Sequence, residues 1–211
     1  ASWPLQILHL DLKVDCVLSL DMCRHSLVII DEVTKYLWVK HLTSKDEAAQ
    51  VFEEVLDSLD ADPRLRQPDG TNIWTVRCVR SDCGSEFTGS PFQLVLKKHK
   101  LEHRTATPRT PQANGLIERS NRTVFTLANA NLAASYLTTC FWTHAASYAV
   151  WCINRTARWE GTNITPYACL FGKPPDISKA RVWGCDVWVS TEKGPRGQGQ
   201  KIPLHGHCQP S

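Results

Sequence analysis

Arg104 to Thr123 reads R-T-A-T-P-R-T-P-Q-A-N-G-L-I-E-R-S-N-R-T, and the rest of the chain is best read outward from it. The first half is a Pro- and Thr-rich loop. The second half opens a helix that the spacing predicts from about Gln112 to Ala134, with Ile117, Val124, Leu127 and Ala128 on one apolar face. Glu118 falls in its first turns, on a neighbouring stripe with Asn114, Asn121, Arg122 and Phe125. Between Lys97 and Arg122 there are seven Lys/Arg and two acids. A lone carboxylate among cations, beside a loop, suits a site that handles phosphate and needs one acid in a fixed place. An ordinary solvated Glu reads the same way in isolation, so the weight falls on partner carboxylates elsewhere.

Upstream, Leu5 to Leu12 is an apolar strand with Asp11 near its end. Ser26–Asp31 and Tyr36–Leu42 form a hairpin about residues 31–35, which with the first strand makes a three-stranded meander. Ser44 and Glu47 make a capping box, and Ala48, Val51, Phe52, Val55, Leu56 and Leu59 follow as one helical face. Ile73–Arg80 reads as a fourth strand ending at Asp82, which is placed either for function or to cap the helix near Ser90. Leu101–Thr105 is a last short strand before the long helix. Downstream, Cys140–Asn154 is a helix apolar nearly all round, 158–180 is loop-like, Val182–Val189 is a further strand and the tail from Thr191 is loose.

At 211 residues, 42% of them apolar and 21% charged, the chain supports one sizeable core. It has no apolar run near the roughly 20 residues of a membrane span, and Ala1–Leu10 lacks the basic start of a secretory signal. The net charge of +3 is unevenly spread, with −3 over residues 1–100 and +6 over 101–211, so an anionic partner belongs on the second half. Nine cysteines without a C-x-x-C read as reduced and mostly buried. His205, His207 and Cys208 lack the second ligand pair of a zinc site. Sequons at Asn121 and Asn154 fall inside helices, which argues against a glycosylated secreted module; a third is at Asn163.

Asp11, Asp82 and Glu118 now combine, with 35 residues between the last two. A β-β-β-α-β-α-β-α order can gather them at one end of a mixed sheet. Three carboxylates there offer the oxygen ligands that two Mg²⁺ ions need for in-line phosphoryl displacement.

Several blocks carry a resemblance: Leu8–Asp11, Ile30-Asp31, Lys35–Val39, Arg80–Phe87, Thr110–Thr123, Phe141-Trp142, Asn154–Thr156, Thr165–Tyr167 and Val182–Cys185. In this order, from about residue 8 to 189, the chain resembles the integrase catalytic core of copia-type LTR retrotransposons, in the retroviral-integrase branch of the RNase H-like fold. The resemblance implies an α/β fold with a five-stranded mixed sheet flanked by helices. It divides the chain into a core over 1–157, an extension over 158–190 and a flexible tail over 191–211. It makes Asp11, Asp82 and Glu118 the catalytic, metal-binding triad for two Mg²⁺ (or Mn²⁺). It implies trimming of element cDNA ends, then attack of the new 3′-hydroxyl on target DNA, with no covalent enzyme intermediate. Arg104, Arg109, Asn114, Arg119 and Arg122 become candidate DNA contacts, and Glu86 a supporting acid. The implied partners are both DNAs, further copies of the chain and the rest of a Pol polyprotein, with the nucleus as the place of action and no membrane. Two departures stand out: Cys83-Gly84-Ser85 where the family has Asn-Gly-Gly, and Lys13-Val14 where a Gly-Pro turn is common. A decayed or domesticated fragment that keeps only DNA binding is the alternative reading.

Overall fold

The computed structural model describes residues 1–14, 16–105, 111–158, 163–190 and 199–202, with backbone alone for 111–114, 187–190 and 199–202. Strands β1 (Ile7–Lys13), β2 (His25–Asp31) and β3 (Leu37–Leu42) form the expected antiparallel meander. Helix α1 (Ala48–Ala61) leads to β4 (Cys78–Ser81), which pairs parallel to β1; β5 (Glu102–Thr105) then pairs parallel to β4. The five-stranded mixed sheet therefore runs β3-β2-β1-β4-β5. Between β4 and β5 lie α2 (Ser85–Thr88) and α3 (Ser90–Lys98).

Alternation along the strands sends side chains to two faces. On one, Leu8, Leu10, Leu27, Ile29 and Val79 pack against Phe52, Val55 and Leu56 of α1 and Phe92 and Leu96 of α3. The Phe52 and Phe92 rings stack at 5.4 Å. On the other, Val28, Ile30 and Leu37 pack against α4 (Pro111–Ser135) and α5 (Trp142–Thr156). Ile117, Val124 and Ala128 are buried as the spacing requires, and Leu132 joins them.

Several expectations need correction. The fourth strand is four residues long, because residues 73–77 lie beyond the run in which β1 and β5 can both pair. The capping box is present and extended: the Ser44 hydroxyl accepts from Asp46 N–H, and the Glu47 carboxylate accepts from Ser44 N–H and, at 3.1 Å, from Thr43 N–H. Helix α5 is one-sided: Ala145, Ala146 and Ala149 are buried while His144 and Ser147 face outward. The stretch 158–180 holds α6 (Pro166–Phe171), started by Thr165 and ended by Gly172 at φ +67°. Strand β6 covers only Val187–Ser190, and within the segment read as a loose tail Gly199–Ile202 forms β7 against it. Of the cysteines, Cys23, Cys78 and Cys140 are buried, whereas Cys83, Cys169 and Cys185 are exposed. His205, His207 and Cys208 lie outside the described residues. Among the described residues no helix is long and apolar enough to cross a membrane.

Candidate active site

Asp11 stands near the end of β1, and the alternation that buries Leu10 and Leu12 turns it to the face covered by α4. Asp82 follows β4, which is parallel to β1 and in register His9 to Arg80, so the two carboxylates arrive level on neighbouring strands. Asp82 Oδ1 accepts from Gly84 N–H at 3.1 Å, a turn within the Ser81–Gly84 corner. A Cβ on Gly84 would lie 2.7 Å from the folded-back Glu86 carboxylate, the mobile end of a side chain that would have to swing aside. Asp82 thus holds the turn and does not cap the helix at Ser90, whose N-cap is Gly89.

Glu118 is exposed on α4, and three residues on is Asn121, which is 9% exposed. Asn121 Nδ2 donates to Asp11 Oδ2 across 110 residues of sequence. Its Oδ1 is buried with no hydrogen-bond partner among the described residues. Burial pushes the Asp11 carboxyl above its usual range, and the charge of Asp82 adds to this; the Asn121 bond opposes, and Glu118 contributes a further, smaller upward push. The structure therefore brings the other two predicted carboxylates, Asp82 and Glu118, within electrostatic reach of Asp11. They are not drawn into a closed metal cage: among the described residues no three His, Cys, Asp or Glu side chains are grouped closely enough to hold an ion.

The predicted DNA contacts divide. Arg122 is exposed one turn after Glu118, on the same stripe. Arg119 turns away, toward Lys35 and the β2–β3 turn. Arg104, on edge strand β5, is held in a two-pronged pair with Glu102 at 2.8 and 2.9 Å. Arg109 and the Asn114 side chain lie outside the described residues.

Beside the carboxylates, on the same face, Glu32 accepts from Arg80 at 2.8 Å and is 2.8 Å from His9 Nε2. Burial pushes the Glu32 carboxyl up, but the amino group of Ala1, His9 and Arg80 outweigh it and hold it at about 2. Burial keeps the His9 ring below its usual pKa against the pull of Glu32. Sequence reasoning assigned no site role to this trio or to Asn121. The available signal was spacing by two: His9 precedes Asp11 and Arg80 precedes Asp82 on the same strand faces.

The integrase core domain family model matches residues 1–111, a segment that contains Asp11 and Asp82. The chain belongs to the integrase core domain family. This core is 31% identical over 185 residues to the retrovirus-related Pol polyprotein from transposon RE2 of Arabidopsis thaliana. It is 28% identical over 173 residues to that from transposon TNT 1-94 of Nicotiana tabacum. These alignments cover 88% and 82% of the core but only 12% of each relative, so the core spans about an eighth of the relatives' length. The plant retrotransposon relatives agree with the copia-type resemblance of its motifs. Among solved structures it is similar to the simian T-cell lymphotropic virus intasome in complex with PP2A regulatory subunit B56 gamma. There the TM-score is 0.63 at 20% identity, over 90% of this chain and 62% of that one. It is also similar to the HTLV-2 integrase catalytic core domain in complex with magnesium, with a TM-score of 0.58 at 18% identity, over 80% of this chain and 97% of that one. These neighbours and the sheet order establish the RNase H-like fold.

Proposed function

We propose that this integrase core trims the ends of retrotransposon cDNA and joins the new 3′-hydroxyls to target DNA, with Asp11, Asp82 and Glu118 as its catalytic carboxylates. The observation that carries the reading is the convergence on Asp11: Asp82 arrives from the parallel neighbour strand, Glu118 and Asn121 from α4. The donor set fits Mg²⁺, because it is all hard carboxylate oxygen and has negative charge in excess of any cation beside it. When bound by these residues, two such ions supply activation of the attacking oxygen and charge neutralisation at the leaving one. The chain's own groups do the positioning. Asn121 fixes one Asp11 oxygen, and the Gly84 turn fixes one Asp82 oxygen. Arg122, exposed beside Glu118, is placed to steer a phosphodiester toward the acids.

The HTLV-2 core was solved with magnesium in a trimeric form, and the simian virus protein as an intasome. By analogy, DNA ends, target DNA and further copies of the chain are the partners, within a Pol polyprotein that works in the nucleus. Residues 1–157 would be the catalytic core and 158–190 an extension docked on it, a division supported by Leu170 and Phe171 packing with the first core cluster.

The test is strand rejoining on a Y-shaped DNA substrate with Mg²⁺ or Mn²⁺, alongside calorimetric metal binding in the presence of DNA. The chain is expected to release the joined product. Asp82→Asn and Glu118→Gln are each expected to fall to background with the unfolding midpoint retained. A folded wild-type chain that binds neither metal nor substrate would overturn the proposal and leave the decayed-fragment reading.

A further inference from the structure

Behind Asp82, on the opposite side of the sheet from Asp11 and α4, lies a polar chain that the catalytic reading does not use. Parallel pairing sets His103 of β5 level with Val79 of β4. Val79 faces α1 and α3, so His103 and Ser81, two residues beyond Val79, face them too. The His103 ring accordingly lies 5.7 Å from that of Phe92 on α3. Ser81 is fully buried. Its hydroxyl donates to the Asp82 carbonyl at 2.9 Å and is 2.9 Å from His103 Nε2. At the other ring nitrogen, Gln93 of α3 places its amide nitrogen 3.3 Å from His103 Nδ1 and 3.2 Å from the Phe87 carbonyl.

These contacts fix the direction of every bond. The Phe87 carbonyl can only accept, so it turns the nitrogen of the Gln93 amide inward. That nitrogen also donates to Nδ1, which must present a lone pair. Burial holds the ring pKa below its usual value, and a neutral ring with Nδ1 bare carries its proton on Nε2. Nε2–H then donates to Ser81 Oγ and leaves the single Ser81 proton for the Asp82 carbonyl. In the other tautomer Ser81 would turn its proton to Nε2 and release that carbonyl. The chain starts on Phe87 and ends on Asp82, so it brackets the segment between them. Within the same segment Gly84 N–H holds one oxygen of the Asp82 carboxylate. One bond fixes the main chain of Asp82 and the other its side chain.

We propose that His103 is a positioning residue: from the far side of the sheet, through Ser81, it holds the Asp82 carboxylate in the orientation that metal binding needs. The inference rests on the assignment of Asp82 as a metal ligand.

The test has a metal-free part and a metal-dependent part. In ¹⁵N NMR of the metal-free chain, the His103 ring is expected to be protonated on Nε2 and bare on Nδ1, and the Gly84 amide signal is expected to move in His103→Leu. In rejoining of Y-shaped DNA, His103→Leu is expected to raise the half-saturating Mg²⁺ concentration about tenfold or more. His103→Gln carries its amide nitrogen the same number of bonds from the backbone as Nε2, and is expected to restore both the Gly84 signal and the Mg²⁺ requirement. His103→Asn, one bond shorter, is not expected to restore either. Where His103→Leu does not fold, Gln93→Ala, at an exposed position, is expected to move the tautomer and the Mg²⁺ requirement in the same sense. A ring protonated on Nδ1, or an unmoved Gly84 signal, would overturn the proposal. So would a lowered unfolding midpoint with the Mg²⁺ requirement unchanged, which marks a merely structural role. A wild-type chain that rejoins no DNA counts against the catalytic reading, and the tautomer and the Gly84 signal then decide whether His103 positions Asp82.

Discussion

At the scale of single residues, Asp11 carries opposing demands. Its carboxyl is half-buried and close to Asp82, so the folded chain holds its pKa above the ordinary value. For an acid raised in this way, the folded state keeps its proton to higher pH than the unfolded state does. Stability is lost as pH rises from the ordinary Asp value through the raised one, and the loss is complete above it. Asp11→Asn is therefore expected to raise the urea midpoint at pH 7 without metal, and the gain is expected to shrink as pH falls below 4. Urea titrations at the two pH values check this, and a gain that persists unchanged in acid would refute it. Asn121 is the second residue to probe. Asn121→Ala leaves Asp11 without its side-chain donor, and losing an outer partner of this kind costs about 10–100-fold in metal affinity or activity. The readout is Mg²⁺ titration of DNA rejoining: a positioning role raises the Mg²⁺ requirement, whereas a merely structural role lowers the midpoint of unfolding alone.

At the scale of elements, Asn154 shows how α5 is locked to the sheet. Strand β3 is an edge strand, and Asn154 closes part of that edge. Its Oδ1 accepts from Leu37 N–H and its Nδ2 donates to Leu37 C=O, both at 2.8 Å and buried. The side chain thus stands in for a neighbouring strand. Asn154→Ala strands two buried backbone groups, each worth roughly 1–3 kcal/mol. A loss of about 2–4 kcal/mol is expected in urea unfolding, and a loss under 1 kcal/mol would show that water replaces the amide. The same geometry explains why the sequon at Asn154 is unusable once the chain has folded. Helix α6 teaches a different lesson about reading elements. Its signals are local: Thr165 Oγ1 accepts from Ala168 N–H at 3.2 Å, Pro166 opens it and Gly172 closes it. A Pro- and Gly-rich stretch invites a loop reading, yet here the Pro and Gly are the start and stop of a six-residue helix.

At the scale of the whole molecule, charge is segregated by sequence and then redistributed by folding. The second half of the chain carries the excess of cations, and α4 presents one of them, Arg122, beside Glu118. Affinity for a duplex oligonucleotide is expected to fall steeply between 50 and 200 mM salt, as counterion release requires. Arg122→Ala is expected to lessen the slope of log affinity against log salt by about 1. Fluorescence anisotropy across that salt range checks both statements, and an unchanged slope would remove Arg122 from the interface.

The meander, α1 and the long helix were legible in the sequence because each is written locally, in alternation of two or a period of 3.6 residues. The RNase H-like class was what the resemblance implied, carried by the Thr110–Thr123 block together with the other motifs in their order. Tertiary structure decided the rest. The length of β4 depends on where β1 and β5 both lie alongside it, which no local pattern encodes. Arg119 and Arg122 were both candidate DNA contacts in the sequence, where only Arg122 shared the stripe of Glu118; the packing of α4 decided that Arg119 faces Lys35. Asn121 looked like a sequon on a polar stripe; its bond to Asp11 spans 110 positions and exists only once α4 lies across β1. Sequence fixes which groups are available and which face each takes within its own element. The partner across the gap is set by long-range packing.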